Sequence, residues 1–109
     1  MKLLPKNDYN IVEELLRVYN ICATMEEPYK RSMEEIIEFF NVPIYKDFLE
    51  KFYLTRYEYL NRYTDNRSMI RYLCSILYVS EDQLYKVRRE IIYKSAMVFY
   101  KNNLLKGDN

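Results

Sequence analysis

LYVSEDQLYKVRREII, residues 77–92, is the stretch on which the reading of the whole chain turns. A short hydrophobic end is followed by Ser80, a residue type that caps helix N-termini, and then by a long run of helix formers. Extended backward to Ser68, the segment aligns with a helix-turn-helix. In that template the first helix ends in a small residue packed on the second, a short turn follows, and the second helix turns its apolar side inward. Cys74 takes the small position, Leu73 and Leu77 point inward, Val79 sits in the turn, and Leu84 and Val87 are the core contacts of the second helix. An ordinary corner between two antiparallel helices has a similar pattern of apolar and capping residues.

The outward residues carry the candidate chemistry. Gln83 and Lys86 lie early enough in the second helix to reach base edges, and Tyr85 can meet a sugar or a thymine methyl. Arg88, Arg89 and Lys94 suit phosphates, and the hydroxyls of Tyr72 and Tyr78 on the flank can bond phosphate as well. Two features oppose this reading. Glycine is the usual residue at the left-handed turn position, where this chain has Tyr78, at a cost of about 1 kcal/mol or more if that geometry is kept. Glu81 and Asp82 favour the helix dipole but repel nearby phosphates.

Working outward, residues 9–26 place Ile11, Val12, Leu15, Leu16 and Tyr19 at helical spacing, with Asp8 as the expected N-cap. Pro28 suits the first turn of a second helix, and Ser32 with Glu35 has capping-box spacing. That helix should end at Asn41, because Pro43 biases Val42 away from helical geometry. Residues 44–54 carry Ile44, Phe48, Leu49, Phe52 and Tyr53 on one side, and residues 55–63 read equally as helix or loop. Thr64, Asp65 and Asn66 supply caps for a helix over 68–78 with Met69, Ile70, Leu73, Cys74, Ile76 and Leu77 inward. A long last helix should run from about Glu81 to about Leu104.

With one glycine and three prolines in 109 residues there is little punctuation for hairpins, so the expected fold is all-α. The expectation is a small single-domain bundle of about five helices, with a helical pair over 1–43 and the helix-turn-helix within 44–105. No apolar run reaches the roughly 20 residues of a membrane span, and no signal-peptide pattern opens the chain, so a cytoplasmic protein is expected. Cys22 and Cys74 have no CxxC neighbour and read as small buried side chains in a reducing compartment. Residues 1–60 hold 8 Lys and Arg against 11 Asp and Glu, whereas residues 61–109 hold 9 against 5. A basic C-terminal half suits a local contact with a polyanion.

Enzymatic function is not expected. Histidine is absent, which removes the commonest general base and metal ligand. Glu34 and Glu38 lack the Glu-x-x-His element of a di-metal carboxylate site, and one glycine cannot build a phosphate loop. No cofactor and no metal site are expected.

The order of LLRVYN (15–20), FLEKFYL (48–54), LCSILYVSEDQLYKVRREII (73–92) and KSA (94–96) resembles the small phage transcriptional regulators of the ArpU/RinA type. The C-terminal half of that family is similar to sigma-factor region 4. The resemblance covers roughly residues 35–100 and rests on a degenerate pattern. In it Ser80 matches the capping serine, Lys86 the first basic residue, Arg88 and Arg89 the basic pair, and Ala96 the alanine of the tail. Gln83 and Tyr78 depart from the family's usual threonine and small residue. The resemblance implies a regulator of late transcription in a phage or related mobile element.

Two functions follow as expectations. One is a regulator that contacts duplex DNA through Gln83, Tyr85, Lys86, Arg88, Arg89 and Lys94. The other is a helical interaction module that binds and modulates a transcription regulator or other partner protein. Its contact would be a tyrosine surface of Tyr53, Tyr57, Tyr59 and Tyr63, since Tyr gives large contact area at low entropic cost. A plain helical homodimer with a structural role is a third reading.

Overall fold

The computed structural model describes residues 4–21, 24–55 and 65–106. They form five α-helices and no strand: α1 (Lys6–Arg17), α2 (Glu27–Phe39), α3 (Pro43–Phe48), α4 (Asn66–Leu77) and α5 (Glu81–Lys101). A π-helical turn, Leu49–Leu54, continues α3. The protein is thus an all-α bundle. Its centre is α5, which packs on α1, α2, α3 and α4.

The reason lies in the α5 sequence. Leu84, Val87, Ile91, Ile92, Ser95, Ala96, Val98 and Phe99 are all buried, a wide and mostly apolar face that runs about 24 Å along the helix. Ser80 starts the helix with a reciprocal cap: its Oγ accepts from the Gln83 N–H at 3.2 Å, and Gln83 Oε1 accepts from the Ser80 N–H at 3.4 Å. The helix stops three residues short of Leu104. Asn103 takes a left-handed conformation, Leu104 N–H bonds back to the Phe99 carbonyl, and Leu105 is buried.

α4 starts where Asp65 caps it, accepting from the Ser68 N–H at 2.7 Å. Met69, Ile70 and Leu73 are buried. Cys74 and Leu77 are only half-buried and Ile76 is exposed, so the apolar face of α4 is narrower than its composition suggests. Tyr78 ends the helix at φ 57°, ψ 46°. The left-handed geometry reserved for glycine is therefore kept, with tyrosine in it. Its N–H and that of Val79 converge on the Cys74 carbonyl, at 3.0 and 3.4 Å, which satisfies the helix end. The side chain gains no burial in return, being 92% exposed. Tyr78→Gly should raise stability by roughly 0.5–1 kcal/mol, measurable as a higher urea midpoint at unchanged m.

The N-terminal boundaries differ from expectation. α1 begins after Pro5, not at Asp8, and ends by Val18 instead of Glu26. Asp8 lies inside the first turn, where its charge still suits the dipole, and its carboxylate accepts from Tyr100 Oη at 2.6 Å. Beyond the helix end the Asn20 amide donates to the Leu54 carbonyl, a tertiary bond that sequence spacing does not reveal. Ser32 caps nothing. It lies within α2, buried, and its Oγ donates to the Pro28 carbonyl one turn back. Pro28 occupies a first turn and Val42 is extended before Pro43, both as expected, and Pro43 itself opens α3.

Candidate functional site: a helix-turn-helix corner and a buried ion pair behind it

The corner consists of α4, the turn 78–80 and α5. Four exposed cations stand on it: Arg67 and Arg71, one turn apart on α4, and Lys86 and Arg89 on α5. None of the four makes an ion pair or hydrogen bond among the described residues. Glu81 and Asp82 are exposed at the start of α5. Within residues 65–106 there are eight Lys and Arg and four Asp and Glu, so the local balance is positive.

The sequence-derived DNA set does not survive as one surface. Gln83 is exposed, but its side chain is engaged in the Ser80 cap. Tyr85 is half-buried against the core. Lys94 places its Nζ 4.3 Å from the centre of the Phe39 ring on α2, a cation–π contact on the far half of α5. Lys86 and Arg89 alone of the six are exposed without such engagement.

Arg88 departs furthest from expectation. Its guanidinium turns into the bundle and meets Glu13 of α1, with Nε and Nη2 at 3.0 and 2.7 Å from Glu13 Oε2. The two side chains are 15% and 7% exposed. The guanidinium lies over the rings of Phe52 and Tyr9, at 5.4 and 5.9 Å. Tyr53, expected on a contact surface, is fully buried and donates to the same Glu13 oxygen at 2.6 Å. Arg17 approaches it at 3.8 Å. Tyr57, Tyr59 and Tyr63 lie outside the described residues.

Glu13 was an unremarkable carboxylate in the sequence. Its position one residue after Val12 puts it on the edge of the α1 core stripe, and that was the available signal. The π-helical turn brings Phe52 and Tyr53 both inward, next to each other, closing the pocket around the ion pair. Burial, followed by the negative charge of Glu13, pushes the Tyr53 hydroxyl well above its ordinary value. The folded state therefore keeps this proton where the unfolded state, with an ordinary value near 10, releases it. Stability should be fully present below about pH 10 and decline above it, by up to about 1.4 kcal/mol per pH unit for this group. Tyr53→Phe should flatten that alkaline decline in urea titrations while lowering stability at pH 7 by about 1.5–3 kcal/mol, the worth of a hydrogen bond to a charged group.

Cys74 is a free, half-buried thiol, and burial raises its pKa, with Glu81 adding to the shift. Cys22 lies outside the described residues. Among the described residues no cluster of three or more His, Cys, Asp or Glu is placed to hold a metal, and no helix is long and apolar enough to cross a membrane. No protein-family model, curated protein or solved structure matches the chain.

Proposed function

We propose that this protein is a duplex-DNA-binding helix-turn-helix module that holds the phosphate backbone through Arg67, Arg71, Lys86 and Arg89. The observation that carries the reading is the pairing of a short capped turn with four unpaired, exposed cations on the two helices it joins. These four cations suit holding the backbone more than reading base sequence. Gln83 is committed to its cap and Arg88 to the core, so base-edge contacts are few and the expected affinity is weakly sequence-dependent. Regulation of transcription in a phage or mobile element, in the cytoplasm, is the role implied by the ArpU/RinA-type resemblance and belongs to the same proposal.

The test is a fluorescence-anisotropy titration of a 24-base-pair duplex at several salt concentrations. Four neutralised phosphates predict a log–log salt slope between about −3 and −4. A protein that leaves the duplex unbound at 20 mM salt refutes the proposal.

A specific observation favours a second reading, association with a second copy of this chain. Phe39, Val42 and Met97 are exposed apolar side chains. Met97 shares a stripe of α5 with Lys94 and Lys101, which reach Phe39 and Glu35 of α2, so these residues border one seam between the two helices. Self-association at this seam should appear in sedimentation velocity as a heavier species that Met97→Asp disperses. A monomer at every concentration counts against it.

A further inference from the structure

Tyr78 is an anomaly within the corner. Of the described non-glycine residues with positive φ, Tyr78 and Asn103, only Tyr78 is of a type that rarely takes this region. The chain accepts an unfavourable backbone state there and still leaves the ring 92% exposed. Among the described residues nothing accounts for a large aromatic at that position, and an external contact would.

The surroundings indicate what that contact is. Arg67, Arg71 and Ser75 follow one another at four-residue intervals along the exposed side of α4, and the exposed ring of Tyr78 stands just past the end of that helix. α4 itself carries no acidic residue between Asn66 and Leu77. Arg67 and Arg71 are one helical turn apart, about 6 Å along the axis, which suits two phosphates of one strand. Cations at one end and an open ring at the other match a chain that alternates anionic backbone with planar groups. The faces of duplex bases are already covered by their neighbours, so a protruding ring finds a free face only on an unpaired base. An acidic protein segment fits less well. Aromatic anchors of protein interfaces sit inside a rim of packed contacts, whereas Tyr78 stands at a corner between Ser75, Ser80 and Glu81, all exposed.

We infer that the outer line of α4, Arg67–Arg71–Tyr78, binds single-stranded nucleic acid, with Tyr78 stacking on an unpaired base and the two arginines on phosphates. The inference rests on the nucleic-acid reading of the corner and assigns a second strand class to it. Lys86 and Arg89 remain the duplex contacts of α5, and the α4 line is the one an unwound segment would follow.

The experiment uses fluorescein-labelled dT15 and a 24-base-pair duplex against the full chain, Tyr78→Gly, Tyr78→Phe and the Lys86→Gln/Arg89→Gln double variant. Tyr78→Gly should bind dT15 about tenfold more weakly, Tyr78→Phe should bind it as the parent does, and duplex affinity should be unchanged in both. Because the glycine variant is expected to melt at a higher temperature, loss of binding cannot be assigned to unfolding. The Lys86/Arg89 variant should lose duplex affinity well beyond any loss for dT15. Retention of dT15 binding by Tyr78→Gly overturns the inference, as does an equal loss on both probes. Failure to bind dT15 while the duplex still binds overturns it and leaves the duplex reading standing. Binding of a polyglutamate peptide that requires Tyr78, with no binding of dT15, overturns it in favour of an acidic protein partner.

Discussion

Arg88→Ala lowers the free energy of unfolding by about 3–5 kcal/mol, the range for breaking a buried ion pair and stranding its partner. For a chain of this size that is a fall of roughly 15 °C or more in the thermal midpoint. Alanine leaves the Glu13 carboxylate buried with Tyr53 as its one close hydrogen-bond donor and Arg17 at 3.8 Å. Glu13→Gln should cost a comparable amount, since it leaves the guanidinium enclosed by Phe52 and Tyr9 without its anion. The double variant Glu13→Leu/Arg88→Met should lie nearer the parent than either single change, because well-packed apolar replacements avoid the desolvation cost of both charges. A loss under about 1 kcal/mol in Arg88→Ala is the behaviour of an exposed pair and would return Arg88 to the surface set. At a temperature where Arg88→Ala is still folded, its duplex affinity should match the parent's. That contrast separates a buried tether from a phosphate contact.

The second large effect is on binding. Lys86→Gln with Arg89→Gln should weaken duplex affinity roughly sixtyfold at 0.1 M salt. Each phosphate contact contributes a factor near the inverse salt concentration raised to the power 0.9, about eightfold at that concentration, and two contacts multiply. The salt slope should fall by about 1.8 at the same time, while the melting temperature stays within a degree or two of the parent's, because both side chains are exposed and unpaired. An unchanged slope with weaker binding would mean that these residues act through something other than phosphate. Uniform weakening across duplex sequences is expected, since neither residue is argued to read a base.

The two predictions reverse the standing of neighbouring arginines that look alike in the sequence. Arg88 and Arg89 are adjacent, so on a helix they point about 100° apart, and the face to which each belongs depends on how α5 is rotated against the bundle. Leu84, Val87, Ile91 and Ile92 set that rotation approximately and place Arg88 at the border of the core. Whether a border arginine folds outward or inward is decided by what waits across the interface. Here the partner is Glu13, 75 residues away in the chain. Tyr53 follows the same rule: it shares a side with Phe48 and Phe52 yet was expected on a contact surface, and the π-helical turn and Glu13 explain why its hydroxyl is tolerated inside.

What the sequence determined alone was local. Scarce glycine and proline left little punctuation for hairpins and argued for an all-α fold. Ser80 and Asp65 were legible as caps, whereas Asp8 and the Ser32–Glu35 spacing misled, and Gln83, expected at base edges, proved to be the partner of the Ser80 cap. The turn position was visible at Tyr78, but a tyrosine there counted against the left-handed geometry that the structure keeps. What only the tertiary structure decided was which polar groups face each other across helices: Glu13 with Arg88 and Tyr53, Asp8 with Tyr100, Ser32 with Asn102. Capping forces act within a turn and leave a mark in residue spacing. Ion pairs and buried hydrogen bonds between distant segments depend on the packing of whole helices, and in a single sequence that leaves no spacing to read.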